Sequence, residues 1–138
     1  NYAIQYVSTS ASANSNITMR LRVGGTDATG ASDYIRQAMV GYSTSIALAT
    51  ATTSSWGIGG MTTGSYQFAS KMEIYNPFLA TRTNMTSRFD GFEGAGSVWQ
   101  SGADGFNHIL STSYDGFTVL ASSGTITGKI FVYGYQKA

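Results

Sequence analysis

Cysteine is absent from this sequence of 138 residues, so disulfides and thiol chemistry are both excluded. A single histidine and no cysteine leave zinc without a ligand set. Charge is scarce too: Asp, Glu, Lys and Arg make up 11% of the chain, where ordinary soluble domains carry ~25%. The formal net charge is +1 and no two basic residues are adjacent, so nucleic acid would find no electrostatic footprint. No apolar run approaches the ~20 residues of a membrane-spanning helix, and insertion into a membrane is not expected. A clear helical period is missing throughout.

Hydroxyls, glycines and aromatics take the place of charge. Serine and threonine supply 35 residues and glycine 17, with nine Tyr and two Trp. Disorder is not expected, because it needs low hydrophobicity with high net charge. The length suits one domain, residues 1–138, able to bury a core without staples. Starting at Asn1 without an initiator Met or signal peptide, the sequence reads as a processed chain or a piece of a longer one.

Strand signals run along the chain. Ile17, Met19, Leu21 and Val23 alternate with Thr18, Arg20 and Arg22, which predicts a half-buried strand. Tyr2–Val7 and Tyr34–Tyr42 read as strands, the latter with a short helix over Tyr34–Val40 as its alternative. Tyr66–Asn76 follows, ended by Pro77, which cannot donate to a ladder. A polar strand passes through Thr81, Thr83 and Met85, and Val98–Trp99 marks a short one. Ser43–Gly64 carries little pattern. The longest run, Thr125–Tyr135, alternates Ile126, Gly128, Ile130, Val132 and Gly134 with Thr127, Lys129, Phe131, Tyr133 and Tyr135. With Tyr114–Leu120 and the Ser-Gly turn between them, it reads as an antiparallel pair. About eight strands in an all-β, jelly-roll-like antiparallel sandwich are expected. Asp-Gly-Phe, at residues 90–92, 104–106 and 115–117, reads as three similarly built turns.

Little points to catalysis. His108 lies near Asp104 and Asp115 in sequence, but serines are too abundant for a triad match to carry weight, and no Gly-x-Ser-x-Gly occurs. Asp90 and Glu93 could meet the carboxylate spacing of a glycosidase, although a solvated turn explains both. Asp27 and Asp33 bracket a loop without the dense oxygen pattern calcium needs. Neither a metal, a cofactor nor an enzymatic role is expected. Two Asn-x-Thr sequons, at Asn16 and Asn84, matter only in a glycosylating source. Aromatics among hydroxyls make a surface able to stack on sugars, with Trp56, Tyr66 and Trp99 as candidate ligand contacts; Trp56 has the competing role of a ring capping the sandwich.

Three C-terminal segments carry a resemblance: Tyr114-Asp115-Gly116-Phe117-Thr118, Ser123-Gly124-Thr125-Ile126-Thr127-Gly128 and Val132-Tyr133-Gly134-Tyr135. They resemble the closing part of tailed-bacteriophage virion proteins, usually tail-fibre or spike components. Ile74-Tyr75-Asn76-Pro77-Phe78 and Leu21-Arg22-Val23-Gly24-Gly25-Thr26 are similar to the middle and first strands of such proteins. The resemblance implies a β-sandwich, often trimeric, on the exterior of a virion, with other virion proteins and a host-surface glycan as partners. It implies no catalytic residue. An apolar strand face at Phe131, Tyr133 and Tyr135 is the expected subunit contact, with Ile126, Ile130 and Val132 facing the core. A capsid decoration subunit, a glycan-cleaving spike and a cellular lectin module are the alternatives.

Overall fold

A computed structural model describes residues 1–61, 63–64, 66–93 and 98–135, with backbone alone for Met61 and Glu93. Among the described residues eleven strands follow one another: β1 (Tyr2–Ala11), β2 (Ser15–Val23), β3 (Thr26–Asp27), β4 (Tyr34–Tyr42), β5 (Ser45–Thr53) and β6 (Trp56–Met61), then β7 (Phe68–Tyr75), β8 (Thr83–Glu93), β9 (Val98–His108), β10 (Gly116–Ala121) and β11 (Ile126–Gly134). They form an antiparallel sandwich of two unequal sheets. Seven strands lie in the order β11-β1-β7-β8-β9-β4-β5; in the smaller sheet β2 pairs β10 on one side and β3 and β6 on the other.

Period-two side-chain alternation decides which residues enter the core. One inward row crosses all seven strands as Ala49, Ala38, Asp104, Ser87, Met72, Ile4 and Val132. Its five middle members are buried, while Ala49 and Val132 at the ends are exposed. Four strands cannot roof seven. The outermost strands β5 and β11 therefore overhang, and Ile130 and Val132, expected in the core, stand 44% and 51% exposed. Only Ile126, near the corner, packs partly against the core.

The C-terminal hairpin does not form. β10 pairs β2 in one sheet and β11 pairs β1 in the other, so the connection between them crosses the sandwich edge. It runs beside the β1–β2 connection, which makes the same crossing. The two corners are tied by Ser12 N to Thr125 O at 3.0 Å, Thr125 N to Ser12 Oγ at 2.9 Å and Asn16 N to Ser122 Oγ at 2.9 Å. Gly124 supplies the left-handed residue, φ 64°, that turns the chain there.

Three other expectations change. The weakly patterned stretch after Ser43 holds β5 and β6, and Val98–Trp99 is the start of an eleven-residue strand. Asp-Gly-Phe makes no turn at any of its three positions: residues 90–92 and 104–106 lie inside β8 and β9, and Gly116-Phe117 opens β10. The motif even sits in opposite phase, since Asp90 points outward and Asp104 inward. Tyr34–Tyr42, by contrast, is the strand expected, and its helical alternative does not form.

Trp56, fully buried, is the wedge between the sheets. Its ring meets Tyr34 edge-on at 5.3 Å and Phe106 at 5.7 Å, and its indole N–H donates to the Asn107 carbonyl at 3.3 Å. The Tyr34 hydroxyl accepts from Leu21 N at 3.0 Å and donates to the Ala28 carbonyl at 2.9 Å, pinning the smaller sheet to the larger. Desolvation pushes that phenol up to about 12. His108 completes the group, fully buried, 4.4 Å from the Tyr34 ring and with Nδ1 3.3 Å from the Tyr114 hydroxyl.

Burial lowers the His108 pKa from 6.5, only partly opposed by Asp33. The unfolded chain therefore takes up the proton first, and stability falls as pH drops through about 6.5. Thermal melts between pH 7.5 and 5.5 are expected to show this loss, and His108→Phe to flatten it. Asp104, raised by desolvation against the pull of Arg36, contributes with the opposite sign and is common to both proteins.

Candidate ligand-binding surface

Outward residues of the larger sheet build a surface independent of the core. One row reads Leu48, Met39, Ala103, Arg88, Lys71, Gln5 and Phe131 across the seven strands. The next contains Gly41, Ser101, Asp90 and Ala69, whose small side chains leave the middle of the face low. A trough of about 720 Å³ results, with Met39 and Ile46 at one end, Val7 at the other and Lys71, Arg88 and Asp90 between.

Lys71 and Arg88 face each other directly across the β7–β8 ladder. Like charges so placed repel. Glu73 offers Lys71 an exposed ion pair at 3.9 Å, which contributes little in water. Oxygen-rich ligands would therefore find two cationic donors with two carboxylates, Asp90 and Glu73, on the same face.

At the end of the β8–β9 hairpin, aromatics gather. Phe92 stands 5.1 Å from Trp99, near-perpendicular to it, and 5.3 Å from Tyr66. Tyr66 and Trp99 are 42% and 49% exposed, so their ring faces are open to a ligand. Trp99 also borders a groove of about 350 Å³ against the β4–β5 turn, residues 42–46. Such a platform, a largely apolar trough with charged groups at its middle next to exposed rings, suits the apolar faces and hydroxyls of a sugar.

Of the three aromatics expected to touch ligand, the fold brings Tyr66 and Trp99 together through Phe92. Trp56 is excluded, since it is wholly buried in the core between the sheets. Phe92, Lys71 and Arg88 were not singled out as ligand contacts from the sequence; the alternation of β8, once its phase is known, identifies Arg88 and Phe92, and that of β7 identifies Lys71.

The remaining polar candidates have structural roles. His108 lies in the core, and Asp115 accepts from Gly24 N at 2.9 Å, so among the described residues no triad forms around the imidazole. Asp27 pairs with Arg22 at 3.1 Å and accepts from the Thr118 hydroxyl at 2.7 Å. Among the described residues no three His, Asp or Glu side chains converge on a metal position. Asp90 faces the trough, whereas the Glu93 side chain lies outside the described residues, and with it the carboxylate pair. Asn16 and Asn84 of the two sequons are exposed.

No protein-family model, curated protein or solved structure matches the chain significantly.

The two tryptophans give a direct check. Iodide should quench the Trp99 fluorescence and leave Trp56 untouched, so that Trp99→Phe removes the quenchable component entirely while retaining the blue-shifted emission of a buried indole.

Proposed function

We propose that this chain is a bacteriophage virion structural protein, a fibre or spike component that self-associates, as a trimer, and attaches to host-surface glycan. One observation carries the assembly half of the reading. Ile130, Phe131, Val132, Tyr133 and Tyr135 along and just beyond β11 are 42% to 53% exposed, on both faces of an edge strand. The opposite edge, β5, exposes Ile46 and Leu48 at 74% and 83%.

Edge strands present unpaired N–H and C=O groups, and monomeric proteins blunt them with charge, proline or bulges. β5 carries no charge and β11 only Lys129, and neither contains proline. Each is nine residues long. Pairing β11 of one copy with β5 of the next would extend the ladder and cover apolar side chains on both faces. That contact is heterologous, and a heterologous contact that closes gives a ring. Phe131, Tyr133 and Tyr135 are then the outward-face subunit contacts, joined by Ile130 and Val132 on the inward face.

The attachment half draws on the trough and on the Tyr66–Phe92–Trp99 cluster, and the virion assignment on the C-terminal resemblance. A capsid decoration subunit would use the same edges, and labelling intact particles separates tail from capsid. A glycan-cleaving spike would release reducing ends from host polysaccharide; their absence disposes of that reading.

Light scattering on the purified protein at tens of micromolar should give the mass of a small oligomer, and Val132→Lys should return it to monomer without lowering its melting temperature. A monomeric wild-type protein would sink the assembly reading. Loss of cell binding in Trp99→Ala, with the oligomer intact, is the expected result for attachment.

A further inference from the structure

Lys71 and Arg88 are partners across β7 and β8, and Gln5 is the next residue over on β1. Two cations held in that register cost the ladder stability unless something negative sits between them. Neither carboxylate of the face does this. Glu73 accepts from the Tyr75 hydroxyl at 3.1 Å and holds Lys71 only loosely, at 3.9 Å. Asp90 lies two residues beyond Arg88, about 7 Å along the same strand. Among the described residues the Arg88 guanidinium forms no ion pair and no side-chain hydrogen bond. An exposed, unpaired guanidinium beside an ammonium is a place for an anion from outside.

The trough does not end at these charges. It shares Gly41, Ile46 and Ser101 with the groove beside Trp99, so the two are one continuous cleft. Small side chains at that junction keep it open. Trp99 precedes Ala103, the β9 partner of Arg88, by four residues on the same outward face. That spacing sets it about 14 Å along the strands from the cations. One sugar ring cannot touch both ends, whereas a short chain of rings can.

Charge narrows the class of ligand. Lys71, Arg88 and Lys129, the last beside Val7 at the trough's end, stand against Asp90 and Glu73, which leaves one positive charge in excess. A densely charged polymer would meet repulsion from the two carboxylates; a single carboxylate matches the excess. Arg88 can take it in bidentate geometry. Asp90, once ionised, only accepts, and so suits sugar hydroxyls between the cations and Trp99. We propose that this cleft binds an acidic oligosaccharide, with the carboxylate of a uronate unit between Lys71 and Arg88, hydroxyls donating to Asp90 and a further ring stacked on Trp99. The proposal rests on the glycan-attachment reading and adds the ligand class, a carboxylate-bearing chain rather than a neutral one.

Trigalacturonate and its fully methyl-esterified form, alike in shape and different in charge, test it by titration with Trp99 emission as the readout. The acid should change that emission saturably, with half-saturation on the order of 0.1–1 mM, and bind about tenfold more tightly than the ester. Raising NaCl from about 20 to about 500 mM should remove most of the preference. Arg88→Gln and Lys71→Gln should each bring the acid towards the affinity of the ester, while the melting temperature holds or rises because the like-charge pair is gone. Ser101→Tyr blocks the junction of trough and groove and should abolish the Trp99 response. Equal affinity for acid and ester, a preference that survives both glutamine substitutions together, an undiminished response in Ser101→Tyr, or no binding of the acid would each overturn the proposal. Host cells bound by wild type and by the double glutamine variant, but lost in Trp99→Ala, would overturn it and leave the attachment reading standing. Cells bound by neither wild type nor any variant would count against both.

Discussion

A four-stranded sheet cannot cover a seven-stranded one, and most of what distinguishes this molecule follows from that mismatch. Sheets pack face to face about 10 Å apart, so a strand beyond the last opposing strand keeps its inward side chains in water. At one end this leaves β11 with Ile130 and Val132 bare beneath and Phe131 and Tyr133 bare above. At the other it leaves the alanines of β5 over an unfilled slot. The same geometry thus produces an exposed apolar edge at one end and a small crevice at the other.

The middle of the sandwich is held differently. Trp56, Tyr34, His108, Phe106 and Tyr114 pack ring against ring, and their polar atoms, His108 Nε2 excepted, are matched to backbone and to one another. Asp104 with Arg36 and Ser87 is the charged counterpart a few residues along. A buried ion pair is weak evidence for stability, because desolvation offsets its attraction. Its clearer consequence is specificity: Asp104 and Arg36 fix the inward phase of β9 and β4, where glycines and alanines impose little by themselves.

Fold class was legible because period-two alternation survives in any half-buried strand. Ile17–Val23 and Thr125–Tyr135 announce themselves for that reason. β9 did not, since Ser, Gly, Ala and Asp fill Gln100–Gly105 and hide the alternation that its neighbours enforce. β5 and β6 were missed because alanine and glycine carry almost no hydropathy contrast. The three Asp-Gly-Phe segments misled in the opposite direction: Asp-Gly permits a turn, but ladder pairing on both sides of β8 and β9 outweighs a local preference.

Composition, hydroxyls in place of charge and strand alternation in place of helical period, already determined an all-β chain with aromatic, low-charge surfaces. Those are local properties, set by each residue and its second neighbour. Which face of Thr125–Tyr135 would be buried was beyond their reach, because burial depends on whether another sheet stands opposite. Tertiary structure alone decided that β10 and β11 part at the corner, that Trp56 goes inside while Trp99 stays out, and that Arg36 meets Asp104. Each of these joins residues far apart in the chain, and each depends on how many strands one sheet can set against another.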